Sequence, residues 1–529
     1  MSDIRALLRN KEMVLSDGVY LEKLDTPVSS PEAWLRALLA RFSFRQANRT
    51  NRLVRETNRH ELALQNKNDD QLREGLRLVA LKMQRYGFSD ELMALAFAVI
   101  REASKRVLGK RHHDVQLLAG QALLQGRIAE MATGEGKTLA GTLAVCTAAM
   151  SGAKVHVVTV NDYLAERDAE ENLPLYQFFN LSLGVVKQDM PIADRAQQYA
   201  CNIVYVSNKE LTFDYLKDRI ALGETLASQL QLNKLQRANT TPQPILTGLH
   251  VAIIDEADSV LIDEARTPLI ISETLPDDLS PDIYAQALTI AQTLEANLDY
   301  RLSHNRDIWL TNEGLMKVSL LVRDFDGVWR SRLWQKELIN KALSALHCFH
   351  PDQHYIVVEN KVQIVDEFTG RVMPDRTWER GLHQMIEAKE KCEITGQRKT
   401  LSQVTYQRFF GRYLLLAGMT GTAKETAPEL KQIYDLSVIK IPTHKATRRV
   451  RLADHVFATS DEKWRAIALR AIEKANEGRA VLIGTRSVEA SERLSQILNE
   501  KNISHAILNA RQDKEEAEAV ALAGHAGRI

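Results

Sequence analysis

Met-Ala-Thr-Gly-Glu-Gly-Lys-Thr, residues 131–138, reads as a turn that holds phosphate. Gly134 and Gly136 carry no Cβ, so the backbone N–H groups around Glu135 can approach an anion closely. Lys137 is placed to reach β- and γ-phosphates, and the Thr138 hydroxyl to ligate Mg²⁺. Further on, Val-Ala-Ile-Ile-Asp-Glu-Ala-Asp (251–258) is an apolar strand ending in carboxylates. Asp255 is the candidate metal holder, and Glu256 the candidate group that polarises an attacking water. Loop and acidic strand together predict an ATP- and Mg²⁺-dependent machine.

The loop alone is a weak match, because Met131 stands where the usual pattern has glycine. Helicase-like ATPases relax that position, and the acidic strand downstream restores the specificity. Around the two motifs the chain alternates strand and helix. Gly126–Met131 is a short strand feeding the loop, Thr138–Met150 the following helix, and Lys154–Val160 a buried strand. Leu183–Val186, Ile203–Val206 and Val251–Ile254 continue the series. This order predicts a parallel sheet with right-handed crossovers and a ligand at the carboxyl ends of its strands.

The flanks differ. Residues 1–70 are polar and helix-biased, with Arg45–Asp70 read as a mobile arm or a solvated helix. A helical pattern follows from Gln71 to about Arg106. Residues 221–250, rich in Gln and Asn with Pro242 and Pro244, read as a surface insertion. From about 267 to 397 the alternation breaks, and Tyr355–Val358 with Val362–Val365 predicts a hairpin inside a second module. Beyond Thr426 a helix capped at Thr459 or Ser460 and stopped at Gly478 precedes a strand at Ala480–Thr485, a helix at Ser487–Lys501 and a strand at His505–Ala510. That is a second α/β unit.

Composition narrows the class. Lys+Arg number 69 against Asp+Glu 68, which argues against a protein whose main task is gripping polyanions. The four cysteines form no CxxC pair, so structural metal and disulfides are not expected. No run of apolar residues is long enough to span a bilayer.

Longer blocks resemble one family. RHHDVQLLAG (111–120), IAEMATGEGKTLAGTLA (128–144), HVVTVNDYLAERDAE (156–170), IIDEADSVLIDEARTPLIIS (253–272), YIVVENKVQIVDEFTGRVMPDRTWERGLHQMIEAKE (355–390), LLLAGMTGTAKET (414–426), AVLIGTRSVEASE (480–492) and HAILNAR (505–511) are similar, in order, to the SecA preprotein translocases. The resemblance implies an α/β fold of tandem RecA-like P-loop NTPase lobes, the second incomplete, with an inserted α+β preprotein cross-linking domain. The expected divisions are a leader at 1–70, a first lobe at 71–266 with a return segment at 398–425, the insert at 267–397, and the second lobe at 426–529.

By the same resemblance Gln116 reads adenine, and Gly134, Glu135, Gly136, Lys137 and Thr138 form the phosphate loop. Thr138 and Asp255 serve the metal, and Glu256, Asp255 and Lys137 the catalysis. Asp263 gates turnover by pairing with an arginine of the second lobe, and Met419–Ala423 couples the lobes. Implied partners are an unfolded preprotein and a SecYEG-type membrane channel; anionic phospholipid and a homodimer are admitted, and nucleic acid is not expected. The implied location is cytoplasmic, peripheral to the bacterial inner membrane. The chain ends at Ile529, before the segments that in the family carry an arginine finger, worth about 10³–10⁵ in rate. The expectation is therefore a fragment, with a natural truncation as the alternative, of a variant or accessory translocase that binds ATP but barely turns it over. Two competing readings are a nucleic-acid helicase, since 255–258 spells Asp-Glu-Ala-Asp, and a catalytically impaired nucleotide-binding adaptor. The phosphate-contact patches a helicase needs are not evident. His112 and His113, beside Lys110 and Arg111, read as a solvated face rather than phosphate or lipid contacts, and Lys445–Arg451 as a solvated linker or an acidic-lipid contact.

Overall fold

The computed structural model describes residues 21–23, 46–222, 244–275, 279–303, 308–351, 353–358, 360–365, 372–373, 377–378, 381–508 and 522–529. They fall into two compact units, Met1–Leu269 with Val404–Ile529, and Ile270–Gln403. Most of the insertion read at 221–250 lies outside the described residues.

Among the described residues of the first unit, the first helices are three in succession. α1 (Gln46–Leu64) is polar by composition, yet Leu53, Thr57, Glu61 and Leu64 are buried along one face. It is therefore neither an arm nor a fully solvated helix. α2 (Asp69–Tyr86) starts at an Asn68–Gln71 capping box, and α3 (Asp90–Val107) is capped by Ser89. The single helix expected from Gln71 to Arg106 is two, because Gly87 takes φ 76° and Ser89 opens a new N-terminus. α4 (Asp114–Leu124) leads to β1 (Ile128–Glu130), then α5 (Lys137–Met150), β2 (Val155–Thr159), α6 (Asp162–Phe178), β3 (Leu183–Val186), α7 (Ile192–Tyr199), β4 (Ile203–Ser207), α8 (Asn208–Leu222) and β5 (Val251–Asp255). β2 and β4 are buried at every residue, the continuous apolar pattern of strands covered on both faces.

The second unit is reached through β6 (Pro268–Leu275). It holds α9 (Pro281–Gln292), an antiparallel pair β7 (Tyr300–Leu302) and β8 (Ile308–Leu310), α10 (Asn312–Leu321), α11 (Arg332–His347), the antiparallel β9 (Tyr355–Val358), β10 (Lys361–Val365) and β11 (Val372–Met373), and α12 (Leu382–Lys389). The chain leaves by β12 (Gln397–Thr405), which pairs with β6. Tyr284, Ile339, Leu343, Tyr355, Met385 and Ile386 form its core, and Trp378 packs on Phe349 at 5.0 Å. The hairpin expected around Asn360 is present, with Val358 opposite Lys361.

Back in the first unit come α13 (Tyr406–Phe410), β13 (Leu415–Thr420), α14 (Ala427–Tyr434), β14 (Val438–Lys440), α15 (Ser460–Asn476) and α16 (Val488–Glu500). The main sheet runs β14-β1-β13-β5-β2-β4-β3, every pair parallel. β13 therefore separates β1 from β5, and the register sets Glu130 beside Thr420 and Met419 beside Asp255. Both motifs leave the sheet at the carboxyl ends of its parallel strands.

Thr459 caps α15 and Ser487 caps α16, as read from sequence. The strands expected at Ala480–Thr485 and from His505 are corrected. Among the described residues after Lys440 no strand forms, and the backbones of the two segments bond to neighbours at Val481 N–H to the Arg528 carbonyl (2.8 Å) and Ala506 N–H to the Ile529 carbonyl (3.0 Å). Single bonds of this kind do not make a ladder, and Leu482 is left exposed.

Candidate nucleotide site

The loop after β1 begins at Met131, which is buried and donates its N–H to the Thr420 carbonyl at 2.9 Å. Its backbone is not left-handed, so glycine is not required there. Gly134 (φ 88°) and Gly136 (φ 75°) are left-handed. Gly136 is also the N-cap of α5 and supplies no side-chain cap, so the first helical N–H groups point into the loop with the positive end of the helix dipole. That arrangement fits a polyphosphate.

Lys137 Nζ lies 2.5 Å from Glu256 Oε1. Glu256 takes φ 48°, an uncommon backbone for a residue with a side chain, and its N–H is held by Asp255 Oδ1 at 3.1 Å. Burial pushes the Asp255 carboxyl up to about 6, with Lys137 pulling it down and Glu256 pushing it up. A cation beside Asp255 would favour its charged form. A carboxylate and the Thr138 hydroxyl are hard oxygen donors of the kind Mg²⁺ takes, so the residues present fit the metal.

Gln116 is buried on the first turn of α4. Its Oε1 accepts the His113 N–H at 2.8 Å, and its Nε2 donates to the carbonyls of Glu135 (3.0 Å) and Gly136 (3.2 Å). Glu135 Oε2 accepts the His444 N–H at 2.9 Å, and the His444 ring stacks on His113 with centroids 3.8 Å apart. Asp263 stands apart from this cluster. It is exposed at the end of a π-helical turn, Ser259–Asp263, and makes no ion pair among the described residues.

Three features were not assigned from sequence. Asp258 joins the ends of β5 and β13, accepting from Thr420 Oγ1 at 2.7 Å and from Thr422 Oγ1. Burial opposes its charge, but the donors from Thr422 and Thr420 hold its carboxyl below the usual range. It lies inside the acidic motif, so the signal was present. His112 corrects the solvated-face reading: it is buried, its Nε2 2.9 Å from the Leu139 carbonyl and 3.1 Å from Thr142 Oγ1. Arg101 is buried as well and binds the His112 carbonyl.

Comparison with known proteins finds relatives of this chain. Residues 35–431 match the family described as the SecA DEAD-like domain, and residues 446–529 match the SecA P-loop domain. The protein translocase subunit SecA 2 of Nitrosospira multiformis is 46% identical over 452 residues, covering 85% of this chain and 68% of the relative. SecA 2 of Bordetella avium is 44% identical over 520 residues, covering 97% and 78%. SecA of a Cyanothece species is 45% identical over 443 residues, covering 83% of this chain and 45% of its own. A solved XPD helicase aligns over 78% of this chain and 79% of its own at 11% identity, and its TM-score of 0.32 is too low to support any argument.

Proposed function

The chain belongs to the SecA preprotein translocase family, a class of P-loop ATPases that drive preprotein translocation, and on that premise we propose how its residues serve the motor. The observation that carries the reading is the shared carboxyl end of β1, β13 and β5, where Lys137 meets Glu256 at 2.5 Å beside Asp255. ATP lays its phosphates on the 134–138 turn. Lys137 moves from Glu256 to the β- and γ-phosphates, and Thr138 and Asp255 are the residues that would hold Mg²⁺. The metal, when bound, neutralises charge that builds on the phosphate oxygens. Glu256, released from the lysine, orients water and takes its proton as the new P–O bond forms and the bond to ADP breaks. Gln116 faces the base, and Asp263 waits for an arginine partner that gates turnover.

The proposed partners are an unfolded preprotein, clamped by the inserted unit, and a SecYEG-type channel, with anionic lipid at the membrane surface. Among the described residues no helix is long and apolar enough to cross a bilayer; we place the protein in the cytoplasm, peripheral to the inner membrane. ATP hydrolysis measured with channel-bearing vesicles and an unfolded preprotein, against RNA, tests the reading. Stimulation by the preprotein and channel is expected, and stimulation by RNA alone overturns it.

A further inference from the structure

We infer that Glu61 on α1 and Arg101 on α3 are positioning residues for the base end of the nucleotide site, acting through the turn 112–116 onto Gln116. The inference rests on the nucleotide reading above. Arg101 is fully buried, and its guanidinium is satisfied on every side: Nε to the His112 carbonyl (2.7 Å), Nη1 to Asn58 Oδ1 (2.6 Å) and Glu61 Oε2 (3.3 Å), and Nη2 to Asp114 Oδ1 (2.7 Å). Glu61, itself buried, also takes a two-pronged bond from Arg111, with Nε and Nη2 each at 2.7 Å. One carboxylate on α1 thus anchors the cations at positions 101 and 111, and Arg101 in turn grips the 112–114 backbone and side chains.

The opposite side of the same turn holds the site. The His113 N–H fixes the Gln116 amide, whose NH₂ binds the loop at Glu135 and Gly136, and His112 Nε2 bonds to α5 at the Leu139 carbonyl. The path from Glu61 to Gln116 runs through Arg101 (3.3 Å), the His112 carbonyl (2.7 Å) and the His113 N–H (2.8 Å), and its first two links are charge-assisted and buried, where such bonds hold geometry most firmly. A cavity of about 420 Å³ lies alongside, walled by Glu61, Leu62, Arg111, His113 and His444. α1 therefore forms part of the wall next to the turn. A helix that serves only as packing would not need a buried carboxylate paired with two arginines of one turn and its neighbour.

The test uses the full chain with Glu61→Gln and, as a milder change at the half-exposed end of the network, Asp114→Asn. Affinity for Mg-ATP, Mg-GTP and Mg-tripolyphosphate is measured for each, with a thermal melt. A displaced Gln116 amide should weaken ATP about tenfold and narrow the ATP-over-GTP preference, while tripolyphosphate, which senses only the lost bonds to the loop at Glu135 and Gly136, weakens clearly less than ATP. Equal weakening of ATP and tripolyphosphate, or a lower melting temperature with unchanged ATP affinity, overturns the inference and leaves the proposed function standing. A wild-type chain that binds neither ATP nor tripolyphosphate removes both.

Discussion

The Lys137 ammonium sits 2.5 Å from a carboxylate oxygen of Glu256, so the two groups assigned to phosphate and to water hold each other. Lys137 is mostly buried and Glu256 half-exposed. ATP binding has to break this pair. Glu256→Gln therefore retains ATP affinity or tightens it, while hydrolysis falls by about 10²–10⁴, the usual contribution of a general base. Lys137→Ala weakens ATP at least about 100-fold, because a phosphate charge loses its partner. Fluorescent-nucleotide titration and phosphate release check both. Loss of ATP binding in Glu256→Gln would contradict the assigned role.

Gly136→Ala tests the turn itself. The residue has φ 75°, and an added Cβ would come within 2.6 Å of Gln116 Nε2. Gly478 has nearly the same φ, 77°, but open space around it. Both alanine variants suffer the left-handed backbone penalty of about 1–2 kcal/mol. Only Gly136→Ala should also lose nucleotide affinity, by tenfold or more on the scale of about 1.4 kcal/mol per factor of ten. Parallel melts and titrations of the two variants separate the effects, and equal ATP affinity in both would refute the close contact.

The motifs are legible because the chemistry of each is local: a glycine bend with its lysine announces itself within eight residues, and the two acids at the end of an apolar strand within another eight. β13 was not read as a strand, and it sits at the middle of the site. Leu-Leu-Ala-Gly-Met-Thr (415–420) is a short apolar run with no period to classify it, and its place between β1 and β5 is set by pairing with residues far away in the chain. The buried face of α1 is hidden from the sequence for a related reason. That face carries Thr57 and Glu61, and Glu61 is tolerable inside only because Arg101 and Arg111 arrive from 40 and 50 residues on. His112 looked solvated beside Lys110 and Arg111, and only the packing of α5 buries it.

Gly418, at the centre of β13, tests that central strand. A Cβ there would lie 2.6 Å from Ala257 Cβ and 3.0 Å from the Ile254 carbonyl, in a sheet covered on both faces. Gly418→Ala should lower stability by about 1–3 kcal/mol, the range for overpacking a core. The urea midpoint reads this directly. An unchanged midpoint would mean that the strands are spaced more widely than the register implies.

Acidification should destabilise the first unit, and the balance can be worked out from its titrating groups. Burial holds His112 and His156 neutral down to about 3 and His250 down to about 4, with Arg101, Arg111 and Lys154 adding to the effect. Burial also lowers His113, aided by His444. Each of these histidines binds fewer protons folded than unfolded. Its contribution is present above about 6.5 and is lost as pH falls through the folded value. Three aspartates act the other way. Burial raises Asp218 to about 7 and Asp255 to about 6, and raises Asp168 as well, so their contribution grows as pH falls. The histidines outnumber them, and the urea midpoint should drop between pH 7 and pH 5. His112→Gln should flatten that dependence, and Asp218→Asn should steepen it, because it removes a group of opposite sign. If the two substitutions moved the slope in the same direction, buried neutral histidine would not be the source of the acid sensitivity.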